Sequence, residues 1–195
     1  MKDLYKRIMQ YSTCEVSDGM PKLAAMDYTI KPLVVNKKIC GPALTLDMPT
    51  LSCVKVMDAL AVAKPGQVLV IAAHGNCETV MWGDFRSKIA MKKQLAGLVI
   101  DGVFRDIDEV KEIGFPIFAK GICPAADFSN NEGSVNVPVT CAGVTVNPGD
   151  IVFGDANGVV VLPPDKEFIE TALAKADTKT KAQNARLAAL EEEYV

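Results

Sequence analysis

The chain has only one histidine, His74, and one tryptophan, Trp82, among its 195 residues. A metal centre built on several histidines therefore cannot form within one chain, and any histidine-based triad would have to use His74. Six cysteines are present, Cys14, Cys40, Cys53, Cys77, Cys123 and Cys141, but none lies in a Cys-x-x-Cys pair. That argues against structural zinc and a thioredoxin-type motif. No apolar run approaches the roughly 18 residues of a membrane span. The opening "MKDLYKRIMQ" lacks the apolar core of a secretory leader. The expectation is a cytoplasmic protein with reduced, mostly buried thiols and no membrane partner. Positive charge is not in excess: the net charge is −3 and the pI about 5.3. That argues against a nucleic-acid binder working through phosphate contacts. A GxGxxG-type loop is missing too, so a methyltransferase is not expected.

Hydrophobic residues make up 49% of the chain, enough for a sizeable core and one domain over residues 1–195. Residues 3–10 read as a short helix, and Ser12–Thr13 as the start of a second. "IKPLVVNKKICGPALTLDM" reads as strands broken by Pro32 and Gly41–Pro42. "TLSCVKVMDALAVA" has helical spacing, with Val54, Met57, Leu60 and Ala61 on one face. "QVLVIAA" is a strand covered on both faces. With a helix over "VMWGDFRSKIAMKKQL" and the strand "AGLVI" it forms a parallel crossover unit. A short helix "IDEVKEIG" and the strand "PIFAK" follow, then three β runs over residues 135–162 split by "NPGD" and "DANG". A charged helix runs from Pro163–Pro164 to the end. The class is α/β with a mixed sheet.

"LVIDGVFRDIDEV", residues 98–110, places Arg105 and Asp106 side by side where a buried strand ends. Asp106 can cap the following helix, with Glu109 completing a capping-box-like pair, and Arg105 can be a surface residue. Alternatively the pair stands at the rim where ligands of α/β sheets gather. There Arg offers a two-pronged fork for a carboxylate, and Asp a hard oxygen for a divalent cation. "WGDFRSKIA" points at the same spot. Gly83 permits close approach, and the N–H groups of Asp84, Phe85 and Arg86 open a helix whose positive end suits an anion. A plain helix start, with Asp84 countering the dipole, explains the same letters. Trp82 reads as packing and His74 as a loop residue.

Asp84, twenty intervening residues, then Arg105–Asp106 and Glu109 resembles the motif of the class II 4-hydroxy-4-methyl-2-oxoglutarate/4-carboxy-4-hydroxy-2-oxoadipate aldolases, relatives of the RraA-like regulators of ribonuclease E. "TCEVSDGM", "GPALTL", "KPGQVLVI", "GLVIDGVFRD" and "AGVTVNPGDIVFGDANGVVVLP" agree, so the likeness spans roughly residues 10–165. The resemblance implies a swivelling β/β/α domain assembled as a homotrimer or a pair of trimers, with 164–195 a helix packing on a neighbour. It implies a site between subunits. Backbone at Gly83, Asp84, Phe85 and Arg86 would bind the pyruvate carboxylate and enolate. Arg105 would hold the pyruvyl oxygens, and Asp106 would ligate Mg²⁺ or Mn²⁺. Asp84 and Glu109 would act through water on the metal. The regulator branch lacks the aspartate after the arginine, whereas this chain has Asp106. The family's neighbour-subunit glutamate has no match in 174–190, and Asp177 or Glu191–Glu193 would have to replace it. The implied activity is metal-dependent cleavage of 4-hydroxy-2-oxo acids to pyruvate, with oxaloacetate decarboxylation as a side reaction. The alternatives are a Schiff-base aldolase on Lys120 and a non-catalytic interaction protein of the ribonuclease-inhibitor type.

Overall fold

The computed structural model describes residues 1–21 and 24–193. The helices are α1 (Lys2–Ile8), α2 (Thr13–Gly19), α3 (Val56–Val62), α4 (Asp84–Lys92), α5 (Ile107–Ile113) and α6 (Lys166–Glu193). The strands are β1 (Lys31–Pro32), β2 (Ile39–Asp47), β3 (Val68–Ala72), β4 (Val80–Trp82), β5 (Gly97–Ile100), β6 (Val103–Phe104), β7 (Ile117–Ala119) and β8 (Gly121–Ile122). They continue with β9 (Ser134–Val135), β10 (Val139–Cys141), β11 (Val144–Val146), β12 (Ile151–Asp155) and β13 (Gly158–Leu162).

The main sheet runs β1-β7-β5-β3-β2-β12-β13, with β9 paired to the end of β2. The β2, β3, β5 and β7 neighbours are parallel, and β1, β9, β12 and β13 join antiparallel. The chain steps from β2 through β3 and β5 to β7 in one direction, with a helix in each crossover. Those helices lie on one face, where Val56, Leu60, Ala90 and Val110 pack on Leu44, Leu69, Ile71, Leu98 and Ile100. Val68, Val70 and Val99, one residue out of phase, point to the other face, against Val139, Cys141 and Val146 of the β10–β11 hairpin. Two covered faces explain why "VLVIA" is apolar at every position. At the far edge, α1, α2 and α6 bury Leu4, Ile8, Val16, Ile169 and Leu173 on β12 and β13. The fold is thus the mixed α/β arrangement expected, with a second β layer.

The second layer positions the site. After β3, β5 and β7 the chain kinks and starts a further short strand, giving a parallel sheet β4-β6-β8. "VMW" therefore begins not a helix but β4, all three residues of it buried. The letters are apolar under either reading, and the helix waits for Gly83. The α3 face also differs: the helix starts at Val56 and buries Val56, Ala59 and Leu60, leaving Met57 38% exposed. Residues 135–162 hold more than three runs, because the first folds back at Ala142–Gly143 into the β10–β11 hairpin. The turns read from the sequence are present. Asp150 N–H donates to the Asn147 carbonyl at 3.0 Å with Gly149 at φ 89°, and Asp155 faces Gly158 across the β12–β13 hairpin. Ser12 caps α2 with a reciprocal Glu15 capping box.

The helix α6 packs first on its own chain. Ile169 and Leu173 are fully buried there, whereas Leu187 and Leu190 are 56% and 41% exposed. No described helix is long and apolar enough to cross a membrane. α2 lies so close to α6 that a Cβ at Gly19 would fall on the Ala172 carbonyl. Gly19→Ala must push the two helices apart, so the urea midpoint of unfolding should drop by the equivalent of about 1–3 kcal/mol. An unchanged midpoint would show that this packing carries no weight.

Candidate active site at the junction of α4 and α5

Two consecutive crossovers deliver the candidate residues. β4 ends at Trp82 and α4 starts after Gly83; β6 ends at Phe104 and α5 starts after Asp106. The Arg105 amide donates to the Trp82 carbonyl at 3.1 Å, tying the two strand ends together. Trp82 is fully buried, stacks on Phe115 at 5.9 Å, and donates through Nε1 to Ser87 Oγ at 2.7 Å. Ser87 Oγ in turn donates to the Gly83 carbonyl at 2.9 Å. This indole is packing, and its hydrogen-bond chain stiffens the first turn of α4.

Asp106 stands at the N-cap position of α5 in left-handed backbone, φ 59° and ψ 45°, and makes no side-chain cap bond. The capping pair with Glu109 is thus absent. Its carboxylate turns to the other helix, where Oδ2 accepts the Asp84 amide at 3.2 Å and lies 3.4 Å from Arg105 Nε. Asp106 therefore caps α4 rather than α5. This explains Gly83, whose φ of −166° any residue could adopt. A Cβ there would stand 2.5 Å from Asp106 Oδ2 and 3.3 Å from Arg105 Cγ. The glycine is required for space.

The expected row of free amides on α4 is partly filled. Asp84 N–H is taken by Asp106, and Phe85 N–H turns to the Asp84 carboxylate. Asp84 also accepts from Lys88 Nζ at 2.7 Å, one helical turn on. That bond, with Phe85 N–H and Asp106 helping against burial, holds its carboxyl below the usual range. Lys88 is raised, first by Asp84 and further by the charges of Glu109 and Asp106. Lys88 thus pairs with Asp84 and feels the charges of the other two acids. Its i+4 spacing from Asp84 was the available signal, and sequence reasoning did not use it. Glu109 is exposed on the first turn of α5 and Phe85 is 63% exposed on that of α4.

The Arg86 side chain, also missed, turns inward. Nη2 donates to the Cys53 carbonyl at 3.0 Å and lies 3.2 Å from its Sγ, while Nε is buried without a partner. A guanidinium thus backs the α4 end and reinforces its positive field. His74 lies elsewhere, with Nε2 2.8 Å from Asp47 Oδ1, and Lys120 opens onto a separate cleft with His74 and Asp101. Asp177 accepts the Tyr11 hydroxyl at 2.9 Å within its own chain; the side chains of Glu191–Glu193 lie outside the described residues. Among the described residues no group of three His, Cys, Asp or Glu is arranged to hold a metal ion. A site of one or two carboxylates fits Mg²⁺ or Mn²⁺, which keep several waters, better than zinc.

A parallel sheet with helices on one face, a second short sheet and paired acids and cations at two helix starts define an α/β protein with a strand-end site. The RraA-like family model (Aldolase/RraA) matches residues 13–161, and the chain belongs to that family. A protein of Halalkalibacterium halodurans, named as a candidate 4-hydroxy-4-methyl-2-oxoglutarate aldolase, is 41% identical over 90% of this chain and 82% of its own. The 4-hydroxy-4-methyl-2-oxoglutarate aldolase of Thermus thermophilus is 28% identical over 80% of this chain and 94% of its own. Streptomyces coelicolor RraAS2, described as an unusual member of the RNase ES inhibitor RraA family, superposes with a TM-score of 0.82. It is 30% identical over 95% of this chain and 96% of its own.

The left-handed backbone at Asp106 separates two substitutions. Asparagine tolerates that conformation and keeps an oxygen for Asp84 N–H, so Asp106→Asn should change the unfolding free energy by less than about 1 kcal/mol. Asp106→Ala loses the acceptor and strains the backbone, and should cost about 1–3 kcal/mol. Equal midpoints in urea for the two variants would contradict this geometry.

Proposed function

We propose that the chain is a carbon–carbon lyase that cleaves 4-hydroxy-2-oxo acids to pyruvate, aided by Mg²⁺ or Mn²⁺, with oxaloacetate decarboxylation as a side reaction. The observation that carries this reading is the Asp106 carboxylate resting on the first amide of α4 beside the Arg105 fork. When Asp106 turns off that amide, the positive end of α4 is open to the substrate's carboxylate. Arg105 then faces the 2-oxo group with a planar pair of donors. A divalent cation held by Asp106 would supply Lewis-acid polarisation of the 2-oxo group. As C3–C4 breaks, its electron pair passes into the pyruvate enolate, whose oxygen Arg105 stabilises. The 4-hydroxyl loses its proton and C4 becomes a carbonyl; C3 then takes a proton to give pyruvate. Asp84, paired with Lys88, and Glu109 orient water for both transfers. Oxaloacetate gives the same enolate by losing CO₂.

The proposal includes a homo-oligomer, a trimer or a pair of trimers. The exposed Leu187 and Leu190 of α6 and Phe85 beside the site are apolar surface that a neighbouring copy would cover. A second reading, a protein that binds and restrains a ribonuclease, draws support from the relation to RraAS2. A ribonuclease pull-down alongside a turnover assay separates the two.

The deciding experiment follows pyruvate release from a panel of 4-hydroxy-2-oxo acids and oxaloacetate, with Mg²⁺ and after chelation. Turnover should need the cation, and absence of turnover on every substrate would remove the lyase reading. Arg105→Lys keeps the charge without the fork and should lose about 2 kcal/mol or more of transition-state stabilisation, read as kcat/KM. Near wild-type turnover would take Arg105 out of the site. Gly83→Ala places a methyl against Asp106 and Arg105 at the α4 end, where the substrate's carboxylate would lie. It should melt within about 1 kcal/mol of wild type yet lose pyruvate release; an active variant would take the α4 end out of the site. Sedimentation should find a species larger than the 20.9 kDa chain.

A further inference from the structure

Lys88 stands among the carboxylates of the candidate site with no part yet in its chemistry. Its Nζ donates to Asp84 Oδ2 at 2.7 Å. The same Asp84 gives its amide to Asp106 Oδ2 at 3.2 Å, so one residue links the ammonium to the carboxylate proposed to hold a cation. Glu109 lies on the first turn of α5, and its charge and that of Asp106 both reach Lys88. The pair with Asp84 is open to solvent, the lysine side chain being 58% and the aspartate side chain 29% exposed. An exposed pair one helical turn apart contributes little to stability. Its effect on a charged visitor is larger, because the ammonium places positive potential at the two helix starts.

Two visitors of opposite sign meet that potential. This inference rests on the places that the lyase reading gives them, a divalent cation on Asp106 and the substrate's carboxylate at the α4 end. Lys88 repels the first and attracts the second. It also occupies Asp84, whose charge would otherwise add to the pull on the cation. The signs do not depend on the rest of the site, since every other charge there, Arg86, Arg105 and Asp108 included, is the same with or without Lys88.

We propose that Lys88 sets the balance of affinities in this site, its ammonium keeping the divalent cation loosely held while drawing in the carboxylate of the 2-oxo acid. Neutralising it moves the two affinities in opposite directions. A lysine that only supported the helix start would, on removal, weaken both or neither.

The test uses the full chain with Mn²⁺ and pyruvate as probes. Mn²⁺ binding is read from the electron paramagnetic resonance signal of the free ion. Pyruvate binding is read from water-proton relaxation of the Mn²⁺ complex. Lys88→Gln should bind Mn²⁺ about threefold to tenfold more tightly than wild type, and the Mn²⁺ complex should bind pyruvate about twofold to fourfold more weakly. Lys88→Arg keeps the charge and should leave both affinities within about twofold of wild type. Lys92→Gln removes an exposed charge one turn further along α4 and should likewise leave both within about twofold. Unchanged affinities in Lys88→Gln, a loss of both together, or the same shifts in Lys92→Gln overturn the proposal. If wild type binds Mn²⁺ and Lys88→Gln matches it, this inference falls and the cation reading stands. If wild type binds no Mn²⁺, both fall. Opposite shifts found without pyruvate release from any substrate would remove the lyase reading and leave this role of Lys88 in place.

Discussion

The contact on which the site's geometry depends is the Asp106 carboxylate resting on the first amide of α4. Three local features exist for it. Asp106 takes a left-handed backbone, so that its side chain leaves its own helix and crosses to the neighbouring one. Gly83 gives up its side chain, because any Cβ would enter the space Oδ2 occupies. Arg105 lies with Nε against the same oxygen, so the negative charge is balanced from the side as well as from the helix end. Remove any one of the three and the other two lose their reason. A helix start preceded by glycine usually signals backbone freedom, and here it signals proximity.

The kink between the two sheets makes that contact possible. Were β3, β5 and β7 to run straight into their helices, Asp84 and Arg105 would sit at the edge of the large sheet, in line with its strands. The extra strands β4, β6 and β8 set the helix starts on a separate layer. Trp82 and Phe104, both fully buried, anchor that layer in the helix-side core. The acids and cations therefore follow short strands that have no freedom to slide. Rigidity at the strand and freedom only in the side chains of Arg105, Asp106 and Lys88 suit a site that must hold several charges in register.

Much of this was legible in the sequence, and the illegible parts share a cause. The doubly covered strand "VLVIA", the helix start at Ser12–Thr13, the Pro148–Gly149 turn and the β3–β5 crossover each follow from local letters with one physical meaning. "VMW" did not, because three apolar residues before a helix fit either a short strand or its first turn. The capping role of Asp106 was misjudged because the letters D-x-x-E fit a cap, while the backbone angle that cancels it comes from a contact twenty-two residues away. Arg86 reads as an amide donor in the sequence, and only tertiary structure shows its guanidinium on Cys53. The cleft around Lys120 is assembled from turns near residues 75, 101, 120 and 142, so no spacing could have announced it.

The α4–α5 junction and the cleft beside Lys120 share one strand, since Asp101 and Arg105 flank β6. This closeness invites the idea that one place signals to the other, but the pairing argues against it. β6 is hydrogen-bonded to β4 on one side and β8 on the other, and both its side chains are buried. A two-residue strand held on both edges has no second register within reach, because a one-residue slip would exchange the buried places of Phe104 and Val103, side chains of very different size. Coupling needs an element with two comparable arrangements, and β6 has one. Asp101 clamps its own turns, Arg105 faces its own partners, and the strand between them fixes their separation without transmitting change. The strand thus sets the distance between Asp101 and Arg105 and holds it.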